Sequence, residues 1–248
     1  MLRVATWNVL HRVHAENWGE DHVVATFPDE RIRVATIARA VAALLGDHDA
    51  VALQEVSGDQ FVALRAACPG ASLAAFAYPR VPRSLRPGGT ILDDPREFLV
   101  VASPVAAAVV YAEVAAADDG KGLVAVRLGS GAVVVNTHVA GKDRGPAQAR
   151  RVCAYARERG AAALVGDFNM ERDRLAEHAG DLAIAAPLAG PPTRQSAPSL
   201  PGKNIDHGLS ATGTISVAGV LPGVYASDHR AVSFRVVPRP ATPGAPSS

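Results

Sequence analysis

The sequence predicts an α/β (α+β) chain in which two mostly antiparallel sheets pack face to face with helices outside them. Three observations predict it. Strand candidates outnumber helical ones, and both kinds are mixed along the chain. Four strand candidates between residues 98 and 139 follow one another through short turns such as Asp119-Gly120 and Gly129-Ser130-Gly131. Such turns suit an antiparallel meander and leave no room for helical crossovers. A doubly wound parallel sheet fits this order less well.

The elements follow in order. Arg3–Val9 is a short β-rich run that ends in polar residues, and a polar, histidine-containing stretch from His11 to Phe27 follows it. Pro28-Asp29-Glu30 opens a helix carrying Ile32, Ala35, Ile37, Ala38, Val41, Ala42 and Leu45 at near-helical spacing, with Gly46 as its stop. Ala50–Leu53 reads as a buried strand, and Ser57 caps a helix running through Leu64. The meander comprises Phe98–Ala102, Val105–Val114, Leu123–Leu128 and Ala132–Val139. An amphipathic helix over Pro146–Arg159 comes next, then strands at Ala162–Val165, Ile205–Leu209, Ile215–Val220 and Arg230–Val237.

A chain of 248 residues buries roughly 70–75% of its unfolded surface, and one domain over 1–237 with a disordered Pro-rich tail at 238–248 is the simplest division. The 48% hydrophobic content and net charge of +1 exclude a disordered chain. No apolar run approaches the ~20 residues of a membrane span; the longest, Val105–Ala117, is interrupted by Tyr111 and Glu113. Leu2–Val9 already reads as a strand, leaving no room for a secretion signal. Cys68 and Cys153 lie far apart without metal-type spacing, which suits two core residues in a reduced cytoplasm. A dedicated nucleic-acid binder carries a domain pI above about 9, whereas this sequence has a pI near 7.9.

The chemistry gathers where apolar strands end in polar residues. Thr6-Trp7-Asn8, Leu53-Gln54-Glu55, Asn136-Thr137-His138, Gly166-Asp167-Phe168-Asn169, Ile205-Asp206 and Ser227-Asp228-His229 supply oxygen ligands, proton-transfer groups and neutral donors. Any one of them is an ordinary strand end; six in one chain describe a site.

In this order, the six motifs resemble the endonuclease/exonuclease/phosphatase superfamily of deoxyribonuclease I-like and nocturnin-like phosphoesterases, from about Arg3 to Val236. The resemblance implies a four-layer α/β sandwich and metal-dependent in-line attack of water on a phosphate ester. It makes Glu55 the principal ligand of Mg²⁺ or Mn²⁺, with Asn8 beside it holding a metal water or a phosphate oxygen. Asp167 would align or deprotonate the attacking water, and Asn169 would donate to that water or to a phosphoryl oxygen. His138 and His229 would flank the phosphate, with Asp206 orienting His229. Asp228 would contact metal through water or a second ion. Glu97 is similar to the acid that partners the first histidine of deoxyribonuclease I-like members, here His138. The pattern also departs from the family: Gly208 follows His207 where many members carry a bulky aliphatic residue, and His207 is expected behind the site. The His11, His14 and His22 group has no metal-site pattern.

Loops decide the substrate. Pro79–Arg96 and Pro187–Asn204 are long, and the first is either a solvated loop or a lid that meets anionic substrate. Near-neutral charge, few aromatic residues and no basic tail favour a small phosphorylated molecule or nucleotide. Lys142, four residues after His138, falls where nocturnin-like relatives place a basic substrate contact. The alternative is a nuclease whose phosphate contacts come from Arg96, Lys121 and the Arg-rich loop. Neither membrane insertion nor an oligomeric state is written in the sequence.

Overall fold

The computed structural model describes residues 1–187, 190–195, 201–221 and 226–239. Two six-stranded sheets pack against each other. The first runs in the order β11 (Gly213–Val220), β12 (Val232–Pro238), β1 (Leu2–Asn8), β2 (Ala50–Ser57), β4 (Glu97–Ser103) and β3 (Ser72–Ala77). The second runs β5 (Ala107–Ala115), β6 (Asp118–Leu128), β7 (Val133–His138), β8 (Ala163–Asp167), β10 (Asp206–Ser210) and β9 (Ala183–Ile184). Each sheet is antiparallel except for one central parallel pair, β1 with β2 and β7 with β8. A parallel pair needs a helical crossover. Helices α1 (Arg12–Trp18), α2 (Asp21–Thr26) and α3 (Glu30–Leu45) make the first crossover, and α5 (Gly145–Glu158) makes the second.

The strand period of two sorts the side chains into layers. Val4, Ala52, Leu99 and Val101 point inward and meet Val124, Val126, Val134 and Val165 of the other sheet. Their neighbours Ala5, Trp7, Val51 and Leu53 point outward onto Ile37 and Val41 of α3 and Leu64 of α4 (Gly58–Ala67). On the opposite side Leu123, Val135 and Leu164 pack under α5 and α6 (Arg172–Ala179). Helix, sheet, sheet and helix make four layers. The α4 start is fixed by a capping box in which Ser57 and Gln60 satisfy each other's backbone N–H groups.

Two expectations change. Strand β4 does not join the meander; it lies in the first sheet between β2 and β3, and only β5, β6 and β7 form consecutive antiparallel partners. Its seven residues are all buried, so the strand carries no polar alternation to say which sheet it belongs to. The polar stretch after β1 is helical because its charges pair within it: Arg12 Nε reaches Glu16 at 2.8 Å and its Nη1 lies 3.5 Å from Glu30. Of the Pro-rich tail, Pro238 closes β12 and residues 240–248 lie outside the described residues.

Candidate active site

Both parallel pairs end at one edge of the sandwich. Asn8 closes β1, His138 closes β7, Asp167 closes β8, and Asp206 opens β10 directly opposite Asp167. Glu55 sits where β2 bulges against β4, the register slipping between Leu53 and Val56. The bulge gives Glu55 a left-handed backbone, φ 56°, and turns its carboxylate toward Asn8. In the second sheet glycine is required at position 166, next to Asp167: a Cβ there would lie 2.0 Å from the Thr137 carbonyl oxygen. Leu10, Lys142 and Asn169 also hold positive φ and also line this cleft, so unusual backbone collects where the polar groups do.

The groups touch. Asn8 Nδ2 donates to Glu55 Oε1 and to Asp167 Oδ2, each at 3.1 Å, while its Oδ1 accepts from Leu10 N. Glu55 Oε2 accepts from His11 N at 3.2 Å. His138 Nε2 lies 3.4 Å from Asp167 Oδ2 and 3.7 Å from Glu55 Oε1. His229 Nε2 approaches Asp167 Oδ2 from another side at 3.7 Å, and its Nδ1 meets Asp206 Oδ2 at 2.9 Å. Asn169 N donates to Asp167 Oδ1 at 2.8 Å, and its side-chain amide is held by the Val139 carbonyl at 3.0 Å.

Less obvious residues hold this arrangement. Gln54 donates across the sheet interface to Asn136 at 2.7 Å, and Asn136 donates to the carbonyls of Leu53 and Val100. Trp7 Nε1 donates to the His229 carbonyl at 3.0 Å, and Ser227 Oγ to the Asn8 carbonyl at 2.7 Å. Fully buried Arg33 pairs with Glu30 and donates to the carbonyls of Val9 and Ala226. Arg33 was missed in the sequence because it lies in an ordinary amphipathic helix; no local pattern marks it.

Burial and neighbours push the titratable groups apart. Burial would make His229 lose its proton, but the carboxylates of Asp206, Asp228 and Asp167 outweigh it and raise the imidazolium to about 10. His138 moves the other way. Burial and the ammonium of Lys121, whose Nζ lies 3.1 Å from the His138 Nδ1, hold it well below the usual histidine value. Burial lifts the Asp167 carboxyl to about 6 despite the nearby His229. Burial also acts upward on Glu55, yet His14, Lys121 and the Asn8 hydrogen bond leave it below the usual carboxylate value.

A model of the endonuclease/exonuclease/phosphatase family matches residues 5–229, which span every group just described. The chain belongs to this family. Like other family members it is a phosphoester hydrolase. Solved structures of the same fold include the human nocturnin catalytic domain with a bound sulfate, at 18% identity and a TM-score of 0.63, covering 95% of this chain and 93% of that one. A mannosyl-6-phosphatase from Bacteroides thetaiotaomicron aligns at 19% identity and 0.63, covering 96% and 100%. D. rerio TDP2 complexed with single-strand DNA product aligns at 13% and 0.61, covering 95% and 99%. At such identities these structures speak for the fold. No curated protein matches the chain in sequence.

Two expected contacts differ. Glu97 does not partner His138: its Oε2 meets His14 Nε2 at 3.0 Å and lies 3.7 Å from Arg80, and the place beside His138 is taken by Lys121. Arg96 does not line the cleft. It forks onto Asp94, with Nη2 at 2.6 Å, and lies over the Phe98 ring, while Arg80 of the same loop reaches the cleft instead. Asn8 lies beside Glu55, its NH₂ group turned toward the Glu55 and Asp167 carboxylates. Asp228 faces the cleft and is bridged by Arg194 at 2.8 Å. Lys121 and Lys142 line the cleft, and His207 Nε2 donates to the Met170 carbonyl at 2.8 Å, behind the site. His11, His14 and His22 do not converge on one point: His11 meets the Pro95 carbonyl, His14 meets Glu97, and His22 lies 3.8 Å from Glu20.

Proposed function

We propose that this chain is a divalent-metal-dependent hydrolase of a small phosphorylated molecule or nucleotide. One observation carries the choice of a small substrate: the cleft's arginines are already met by carboxylates. Arg80 lies 3.8 Å from Asp118, Arg144 3.3 Å from Asp118, and Arg194 2.8 Å from Asp228. Lys121 and Lys142 remain without an ion pair among the described residues. That balance suits one phosphate group; a long polyanion needs a continuous basic track. The cleft encloses about 410 Å³, within the range of roughly 300–1,000 Å³ typical of small-molecule sites.

The donor set fits a hard cation. Asp167, Asp206 and His229 bring ligand-type atoms within 4.8 Å of one another, and Asp228 Oδ1 is buried without a hydrogen-bond partner. His229 is nonetheless engaged by Asp206 and holds its proton to about 10, which makes it a donor rather than a ligand. Glu55, low in pKa and open to Lys121 and Asn8, is the better holder, with Asp228 and Asp167 near enough to assist. A bound Mg²⁺ or Mn²⁺ would supply charge against the phosphoryl oxygens. Asp167, with a carboxyl that titrates at about 6, accepts the proton of the attacking water near neutral pH. Asn169 and the Asn8 amide orient that water and a phosphoryl oxygen. The His229 imidazolium and Lys121 ammonium donate to the oxygens as negative charge grows.

Chelation is expected to abolish turnover, Mg²⁺ or Mn²⁺ to restore it, and Glu55→Gln to weaken metal binding measured by calorimetry. Full turnover in excess chelator overturns the mechanism. A panel of sugar phosphates, nucleotides, DNA and RNA tests substrate size. A polynucleotide held by six or more phosphates loses about 10³–10⁵ in affinity between roughly 50 and 200 mM salt, and such a loss, with long strands turned over faster than mononucleotides, would establish the nuclease alternative.

A further inference from the structure

The indole of Trp18 is out of place for a core residue. It is 55% exposed, although the other tryptophan, Trp7, is only 2% exposed. It lines the same cleft as Glu55, His138, Asp167 and His229. One of its faces is already occupied: the His14 ring stacks on it at 4.4 Å between centroids, with 2° between the planes. His14 is itself fixed, its Nε2 lying 3.0 Å from the buried Glu97 carboxylate. The turn that carries the indole is also tied down. Asn17 donates to the Arg83 carbonyl and accepts from Leu85 N, at 2.9 and 2.8 Å, and Gly19 closes α1 in a left-handed conformation.

A buried carboxylate, an oriented imidazole and a tethered turn thus hold one large flat ring in place beside the phosphate chemistry. Nothing in the catalytic arrangement uses it. A rigid aromatic with a free π-face binds a planar ring by stacking, and does so without hydrogen-bond readout of that ring. We propose that Trp18 is a stacking platform for the base of a nucleotide whose phosphate sits between Glu55 and His229. The inference rests on the small-substrate reading and narrows it from any phosphorylated molecule to one that carries a nucleobase. Glu97 and His14 are then positioning residues, acting on substrate through the indole.

Binding and turnover test this separately. In Asp167→Asn protein, which is used to hold ligand without hydrolysis, AMP with Mg²⁺ is expected to quench the emission of exposed Trp18, and ribose 5-phosphate is not. In the otherwise native chain, Trp18→Ala is expected to lower the kcat/KM of AMP relative to ribose 5-phosphate by about 5- to 150-fold, the span that base–aromatic stacking covers. Trp18→Phe should recover part of that ratio, which a general loss of folding would not do. An unchanged ratio, or equal quenching by both esters, overturns the platform. If neither ester is hydrolysed but AMP alone quenches, the platform stands and the choice of substrate under the small-molecule reading fails.

Discussion

Two histidines stand on either side of one carboxylate and differ in charge, one an imidazolium and the other neutral. His138 and His229 both point Nε2 at Asp167 Oδ2, at 3.4 and 3.7 Å, and both are buried. The difference lies in the other charges that surround each ring. His229 is backed by Asp206 and ringed by further carboxylates, so it keeps a proton to about 10. Lys121 Nζ lies against the His138 ring, 2.5 Å from Nε2 and 3.1 Å from Nδ1, and already supplies the positive charge, so the ring stays neutral. A residue type does not fix a role at such a site; the charges packed against the ring do.

The largest effect should come from removing the acid behind His229. Asp206→Asn is expected to lower kcat by about 10²–10⁴, the range of a misplaced proton-transfer group, with metal affinity little changed. The loss should not multiply with that of His229→Ala, since both dismantle one unit; multiplicative losses would separate the two residues. Lys121→Glu makes the two corners alike. It should return the His138 titration, followed by NMR, toward the ordinary value near ~6.5 or above, while kcat falls about 10- to 100-fold through the lost cation. A His138 that still fails to titrate above pH 5 would show burial alone to be responsible.

A smaller effect concerns stability. Asp167 and His229 both bind protons in the native state that the unfolded chain releases, because both pKa values are raised on folding, from 3.8 to about 6 and from 6.5 to about 10. Their contributions are therefore complete at low pH and disappear as pH rises, across about 4–6 for Asp167 and about 6.5–10 for His229. Thermal melts of the metal-free protein should show Asp167→Asn flattening the first window by about 1–3 kcal/mol and narrowing the second, because the Asp167 carboxylate is one of those that hold the His229 proton. An unaltered slope between pH 4 and 6 would mean that Asp167 ionises normally. The smallest effect should be that of Glu97→Gln: less than about tenfold in kcat, because Glu97 holds His14 and not His138. A loss above 10²-fold would restore it to the histidine corner.

The chain wrote some of this plainly. Val4, Ala52, Val134 and Val165 alternate with outward neighbours, and from such runs the central strands and the covers α3, α4 and α5 are legible; edge strands β3 and β9 and helix α6 are not. Glu55, His138, Asp167, Asn169, Asp206 and His229 lie at or near the ends of those strands in a recognisable order, and they meet in space. What was not legible is pairing at a distance. Lys121 against His138, Arg194 against Asp228 and Arg33 under Ala226 join residues 17, 34 and 193 positions apart, with no local pattern to announce any of them. Glu97 shows the opposite failure: a motif-like position suggested a partner, while α1, hidden in a polar stretch, delivered His14 first. The assignment of β4 failed for the same reason, since a strand buried on both faces looks alike from either sheet.

Strand β1 lies between β2 and β12, with Leu2 opposite Val236. A nascent chain emerges from the ribosome in order, so β1 leaves the exit tunnel with one edge unpaired and keeps it so until residues 232–238 appear. His229, in the turn just before them, arrives at nearly the same moment. The half-made protein thus carries an open apolar strand edge and no working site. Loop closure across more than two hundred residues makes that last pairing slow as well as late. Slowed translation or truncation before β12 should consequently yield aggregates rather than a weaker enzyme, and chaperone dependence should concentrate on that final segment.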